Sequence, residues 1–102
     1  MRGSCVARLV KSPQFDADVE AIWLSIAERH VATADRVIER IEAVIERASH
    51  YPLMGTPVPH LAPNLRRLRS GPYLIYCRYT GGELQLVRAL HGRRQITPEQ
   101  FQ

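Results

Sequence analysis

The sequence predicts an α+β fold, in which an N-terminal helical hairpin packs on one face of a small, mostly antiparallel sheet. Two observations support this. Apolar residues recur at helical spacing over residues 13–48 and at about every second position from residue 65 onward. The resulting order of elements is β-α-α-β-β-β. Because a chain of 102 residues has room for one core, we expect residues 1–102 to form a single domain.

The first strand is predicted over residues 5–11, a short segment rich in apolar and β-branched residues. The first helix is expected to begin after Ser12, because serine is a good N-cap and Pro13 suits the first helical position. The helix should end near residue 29. Its apolar stripe, which we expect to lie in the core, is Phe15, Val19, Ile22, Trp23 and Ile26.

A second helix is predicted after a short interruption, with Thr33 as its N-cap and an apolar stripe that continues to Ala48. The charged side of this helix is expected to be solvated surface. The helix must end before Pro52, because proline disfavours the helical conformation of the residue in front of it. Residues 53–64 hold several prolines and a glycine, so we expect an ordered connector without a domain boundary.

Three strands follow the connector, over residues 65–69, 72–80 and 83–91. Gly81 and Gly82 predict a hairpin turn between the last two strands. If this turn has two residues, Tyr76 lies opposite Val87, and this register determines which side chains share each face of the hairpin. One face is apolar enough to receive the helices: Tyr73, Ile75, Cys77, Tyr79, Leu84, Leu86, Arg88 and Leu90. The other face is mixed and is predicted to be the working surface: Leu74, Tyr76, Arg78, Gln85, Val87, Ala89 and His91.

Positive charge is concentrated in the last third of the chain. Residues 1–64 hold seven basic and eight acidic side chains, a net charge of −1, whereas the remainder holds seven arginines against two acids, a net charge of +5. A cationic surface of this kind attracts nucleic acid or an acidic protein partner. The alternative is a general preference for arginine, which supplies thirteen of the fourteen basic residues.

The same composition argues against a membrane, a metal or a cofactor. No segment approaches the roughly 20 apolar residues of a membrane span, and no leader pattern opens the sequence, so we expect a cytoplasmic location. Cys5 and Cys77 lack metal-ligand spacing and are expected to act as small buried hydrophobes. The histidines His30, His50 and His60 are expected at the surface. We therefore predict no cofactor and no metal.

Several separated blocks carry a family resemblance. They are SPQFDADVEAIWLSIAE at residues 12–28, ADRVIERIEAVIER at 34–47, YPLMG at 51–55 and LRRLRSGPYLIYCRY at 65–79, closed by VRALHGRRQ at 87–95. In order and spacing they resemble the ParE toxins of the RelE/ParE type II toxin–antitoxin superfamily.

The resemblance implies a toxin kept silent by a cognate ParD-like antitoxin, typically encoded beside it, in a toxin–antitoxin hetero-oligomer. The antitoxin would bind operator DNA, so the toxin itself would contact DNA only indirectly. The expected target is DNA gyrase, and its inhibition would arrest growth and support plasmid or chromosome maintenance. A toxin of this kind inhibits an enzyme and has no known turnover of its own.

Two alternatives remain open at this point. One is a ribosome-dependent mRNA endonuclease of the RelE type, in which His91, Arg69 and Arg78 would supply a titrating imidazole and cations for the phosphorane charge. RelE-type nucleases rely on lysine, arginine and tyrosine or on a glutamate and histidine set. Here the cationic strand lacks lysine, and no tyrosine follows the last strand, which argues against this alternative. The other alternative is a non-toxic relic that only binds the antitoxin.

Binding residues are expected in two groups. Antitoxin carboxylates are predicted to pair with arginines of the sheet: Arg66, Arg69, Arg78 and Arg88. The gyrase contact is predicted in residues 91–102, through His91, Arg93 and Arg94. Truncation after Leu90 is then expected to remove toxicity and to leave antitoxin affinity largely intact. The alternative for this tail is that it simply covers an edge of the sheet.

Overall fold

The computed structural model describes residues 6–101, so the part of the first-strand prediction that includes Cys5 lies outside the described residues. The elements occur in the predicted order, with one added strand and a C-terminal turn of 3₁₀ helix. They are β1 (Arg8–Lys11), α1 (Pro13–Ala27), α2 (Val31–His50), β2 (Thr56–Pro57), β3 (Leu65–Ser70), β4 (Tyr73–Thr80), β5 (Glu83–His91) and the 3₁₀ turn (Pro98–Phe101). The predicted α+β fold is confirmed.

The five strands form one sheet in the order β1-β5-β4-β3-β2. Strand β1 runs parallel to β5, and the other neighbours are antiparallel. Strand β2 was not predicted and lies inside the connector, where Thr56 pairs with Arg67 and Pro57 pairs with Arg66. Proline is compatible with this position because β2 is an edge strand.

The start of α1 agrees with the prediction, and the start of α2 does not. The Phe15 N–H donates to Ser12 Oγ at 3.0 Å, which makes Ser12 the N-cap of α1. Helix α2 begins at Val31, so the prediction of Thr33 as its cap is wrong. The reason is a tight link, in which the backbone N–H groups of residues 29 and 30 both donate to the Ile26 carbonyl.

Trp23 corrects another expectation, because its side chain is only half-buried. Its Nε1–H donates to Asp35 Oδ1 at 2.9 Å and thereby connects α1 to α2. Cys77 behaves as predicted and is 1% exposed. Burial raises the pKa of its thiol to about 11, although the positive charge of Arg66 acts in the opposite direction. The thiol is therefore neutral and unreactive at physiological pH.

Both faces of the sheet are covered by apolar residues. The face toward α1 and α2 carries the larger cluster, which includes Phe15, Ile22, Ile41, Ile45, Leu68, Ile75, Leu84, Leu86 and Ala89. The opposite face, here called the back face, carries a second cluster: Val58, Ala62, Leu65, Leu74, Tyr76, Leu90 and Phe101. The prediction that the back face is an open working surface is therefore wrong, because the connector and the C-terminal turn cover much of it.

A β-bulge in β5 changes the predicted register. Between the turn and the pair Cys77–Leu86, the residues of β4 and β5 pair as predicted. The next residue, Tyr76, pairs with Arg88, so Val87 is the extra residue of the bulge. One extra residue exchanges the faces of everything beyond it. Ala89 therefore packs on the helix side and Leu90 on the back face, the reverse of the prediction.

Gly55 allows the connector to lie directly against β3. A Cβ built at this position would stand 3.0 Å from the Arg67 carbonyl oxygen, 3.2 Å from Arg66 Cβ and 3.2 Å from Leu68 Cδ2. We predict that Gly55→Ala lowers the free energy of unfolding by about 1–3 kcal/mol, as overpacking of a close contact does. Chemical denaturation measures the change, with the exposed Thr56→Ala as control. Equal stability of the two variants would contradict this packing.

Candidate partner-binding surfaces

Arg88, a predicted antitoxin contact, is bound within the chain. Its Nε donates to Asp18 Oδ2 at 2.7 Å and its Nη2 to Asp18 Oδ1 at 2.9 Å. The two side chains are only 14% and 11% exposed. The hydrogen bond to Asp18 raises the pKa of Arg88 further above its ordinary value. This guanidinium joins β5 to α1 and is not presented to a partner.

The same junction holds the C-terminal turn. Arg88 Nη1 donates to the Gln100 carbonyl at 3.3 Å. The neighbouring Phe101 is 8% exposed and packs on Tyr76, with 4.6 Å between the ring centroids. The tail therefore covers part of the back face of the sheet, whereas the alternative drawn from the sequence was that it covers an edge. Both contacts hold the C-terminal end of the tail, and Ile96 also packs against the back-face cluster.

Arg93 and Arg94 are exposed on the turn that follows β5. The turn is ordered by His91, whose carbonyl accepts from the Arg94 N–H at 2.9 Å and whose Nδ1 accepts from the Arg93 N–H at 3.1 Å. His91 is half-buried and stands edge-on to Tyr73, with 5.3 Å between the ring centroids. His91 thus orients a cationic turn, and the guanidinium groups extend into solvent.

The structure does not bring His91, Arg69 and Arg78 together. His91 pairs with Tyr73 at one end of β4, and Arg78 lies five residues farther along that strand, a separation of about 16 Å. Arg78 Nε also donates to the Pro63 carbonyl at 3.2 Å. A cationic site with one imidazole, as RNA cleavage requires, is not formed by these three residues.

The remaining two predicted arginines flank the connector. Arg66 Nη1 donates to the carbonyls of Leu53 and Gly55, at 2.9 and 2.8 Å, and so fixes the connector against β3. Arg69 is exposed on β3. Beside them, Leu53 and Met54 are 61% and 43% exposed. Neither apolar residue is among the binding residues predicted from the sequence, although both lie in the predicted connector.

The described residues offer no site for a metal and no membrane span. Within residues 6–101, no group of three or more histidine, cysteine, aspartate or glutamate side chains is arranged to hold a metal ion. None of the described helices is long and apolar enough to cross a bilayer. His30, His50 and His60 are exposed as predicted, and His50 Nε2 lies 3.2 Å from Glu46 Oε1.

The junction between Asp18 and Arg88 is predicted to stabilise the fold strongly. Asp18→Asn leaves a mostly buried guanidinium without its countercharge, so the free energy of unfolding should fall by about 2–4 kcal/mol. Glu83→Gln is the matched control, because Glu83 pairs with Arg8, whose side chain is 75% exposed. Its cost should stay below about 1 kcal/mol. Urea denaturation measures the free energy of unfolding of both variants. Similar decreases for the two would contradict a stabilising role of the Asp18–Arg88 pair.

Phe101 is predicted to be the anchor of the tail. Phe101→Ala removes the ring that packs on Tyr76 and should cost about 2–4 kcal/mol of unfolding free energy. Gln95→Ala, in the exposed part of the tail, should change stability by less than about 0.5 kcal/mol. Thermal unfolding measures both, and a neutral Phe101→Ala would show that the tail does not cover the sheet. Truncation after Leu90 removes the same anchor and therefore cannot isolate a binding role.

Comparison with known proteins identifies the family. The family described as the ParE toxin of the type II toxin–antitoxin system parDE matches residues 9–96. Toxin ParE1 of Mycobacterium tuberculosis is 30% identical over 92 residues, which cover 88% of this chain and 94% of that protein. Toxin ParE3 of Caulobacter vibrioides is 25% identical over 95 residues, or 92% of this chain and 95% of that protein.

The fold agrees with this assignment. A structure described as the chromosomal ParDE TA system from P. aeruginosa superposes with a TM-score of 0.74 at 21% sequence identity, covering 86% of this chain and 98% of that chain. At this identity the likeness concerns the fold alone. The match to the family over residues 9–96, together with the similarity to the mycobacterial toxin, shows that the chain belongs to the ParE toxin family.

Proposed function

We propose that this protein arrests growth by inhibiting DNA gyrase in the cytoplasm, and that a ParD-like antitoxin keeps it silent. The observation that carries the proposal is membership of the ParE toxin family over residues 9–96. The solved structure that it resembles is described as a ParDE system, which supports an antitoxin as partner. DNA is contacted only through the antitoxin, and the toxin acts by binding.

The cationic turn with Arg93 and Arg94 is the proposed contact with gyrase. Both side chains are exposed, and His91 and the anchored end of the tail limit the movement of the turn that carries them. A cationic group held in place loses less conformational entropy on binding than a flexible one. Exposed positive charge also accelerates encounter with an acidic surface. The turn therefore suits recognition of a large, charged target.

RNA cleavage is the second candidate, and one observation favours it. A surface depression beside α1 is lined by His91, Arg94 and Tyr73, which places an imidazole near a guanidinium and a phenol. These types of group can move protons and stabilise phosphorane charge. The set differs from the one expected from the sequence. A third possibility is an inert relic that binds an antitoxin and has no target.

Expression in cells separates the three possibilities. We expect arrest of growth when the protein is induced alone, chromosomal breaks in the arrested cells, and recovery when the protein encoded by the adjacent reading frame is induced with it. Arrest with mRNA cut at codon boundaries and with intact chromosomes would replace the gyrase proposal by the nuclease. Normal growth, with the amount of folded protein verified, would support the inert relic that only binds an antitoxin.

The exposed arginine pair gives a sharper test. The double variant Arg93→Ala, Arg94→Ala should lose at least about tenfold in potency against gyrase, because it removes two cationic contacts. Its affinity for the antitoxin should change less than about threefold, because this turn follows β5, whereas Arg66 and Arg69, which are expected to bind the antitoxin, lie on β3. The control is Arg29→Ala, Arg40→Ala, which removes the same charge from exposed positions near and within the helical hairpin. Equal potency of the two double variants would contradict the assignment of this turn.

A further inference from the structure

We infer that the connector and the outer edge of β3 form the docking surface for an acidic, partly extended segment of the antitoxin. The inference rests on the proposed function, because it takes the antitoxin as the partner. We call this surface the connector ridge and define it by the exposed apolar residues of the connector and the arginines around them: Tyr51, Leu53, Met54, Arg47, Arg66, Arg67 and Arg69.

Several large apolar side chains are exposed close together on this ridge. Tyr51 is 66% exposed, Leu53 is 61% exposed and Met54 is 43% exposed, and all three lie within four consecutive positions. Tyr79, at the end of β4, is 38% exposed and lines the same depression as Leu53. Large apolar side chains grouped in this way mark a site for a protein partner more often than isolated ones do.

The charged residues that line the depressions around the ridge are all arginines. Three adjoining depressions surround the connector, and none of their lining residues is an aspartate or a glutamate. Arginine lines each of them: Arg66 the first, Arg47 and Arg69 the second, and Arg67 and Arg69 the third. Arg47, Arg67 and Arg69 form no ion pair with another residue in the part of the chain that the structure describes. A complementary partner therefore brings carboxylates.

The edge of β3 adds backbone groups to the ridge. Strand β2 pairs only with Arg66 and Arg67, and the Val58 N–H donates to the Leu65 carbonyl at 2.9 Å. Because strand hydrogen bonds repeat every second residue, the N–H and C=O of Arg69 point to the same side, beyond the end of β2. No described strand pairs with them there. An extended peptide can continue the edge at this position.

Together these features select one kind of occupant. Apolar side chains of the segment would cover Leu53 and Met54, its carboxylates would pair with Arg47, Arg67 and Arg69, and its backbone would pair with Arg69. Nucleic acid fits less well, because a phosphate backbone does not cover exposed aliphatic side chains. Arg88 is engaged by Asp18 and takes no part. Of the arginines expected to bind the antitoxin, Arg66 and Arg69 therefore belong to the ridge.

Calorimetric titration with the protein encoded by the adjacent reading frame tests the inference on the full-length chain. Leu53→Asp and Arg69→Glu should each weaken binding by at least about tenfold, as loss of a central interface contact does. The matched controls are Leu24→Asp, at a leucine of α1 that is 51% exposed, and Arg40→Glu on α2. Both controls should bind within about threefold of the wild type. Circular dichroism and thermal unfolding verify that all four variants are folded.

Equal effects of ridge and control substitutions would overturn the inference, as would absence of binding by the wild type. Tight binding of a DNA duplex that Arg69→Glu abolishes, or self-association that Leu53→Asp abolishes, would replace the proposed occupant. Gyrase inhibition by the wild type is measured separately. If the ridge variants lose antitoxin binding and the wild type does not inhibit gyrase, the docking surface stands and the proposed function fails.

Discussion

One largely buried carboxylate, that of Asp18, connects the parts of this fold. Asp18 accepts hydrogen bonds from Arg88 Nε at 2.7 Å, from Arg88 Nη2 at 2.9 Å and from the Ala89 N–H at 3.0 Å. Beside it, Ser12 Oγ donates to the carbonyl of the bulged Val87 at 2.9 Å. These contacts satisfy polar groups that the bulge in β5 removes from the ladder, where they would otherwise be costly. Helix α1, the sheet and the tail are positioned together as a result.

The two proposed binding surfaces follow from this arrangement. The bulge turns Leu90 to the back face, where Phe101 and the connector complete a second apolar cluster. The tail is consequently held at both ends, and Arg93 and Arg94 remain exposed between them. The connector ridge lies at the other side of the sheet, next to β3 and β2. Because the two surfaces are separate, the antitoxin can bind the connector ridge without occupying the proposed gyrase contact.

Local signals in the sequence predicted both helices and four of the five strands, but neither strand β2 nor the register of the last hairpin. Ser12 and Pro13 fixed the start of α1, and the glycine pair fixed the hairpin turn, because caps and tight turns depend on neighbouring residues. At the bulge, Asp18 accepts hydrogen bonds from Arg88, which is 70 positions away in the chain. Nothing local indicates that pairing, so the faces beyond Val87 were predicted in reverse and Arg88 was assigned to a partner. Leu53 and Met54 were missed because exposed apolar residues in a loop follow no periodic pattern.

Incubation of the purified protein with gyrase, ATP and relaxed plasmid tests directly whether it inhibits gyrase, with a ribosome and messenger RNA reaction run in parallel. If the protein inhibits gyrase, we expect loss of supercoiling with accumulation of cleaved plasmid, and intact messenger RNA. Undisturbed supercoiling together with codon-dependent RNA cleavage would contradict it.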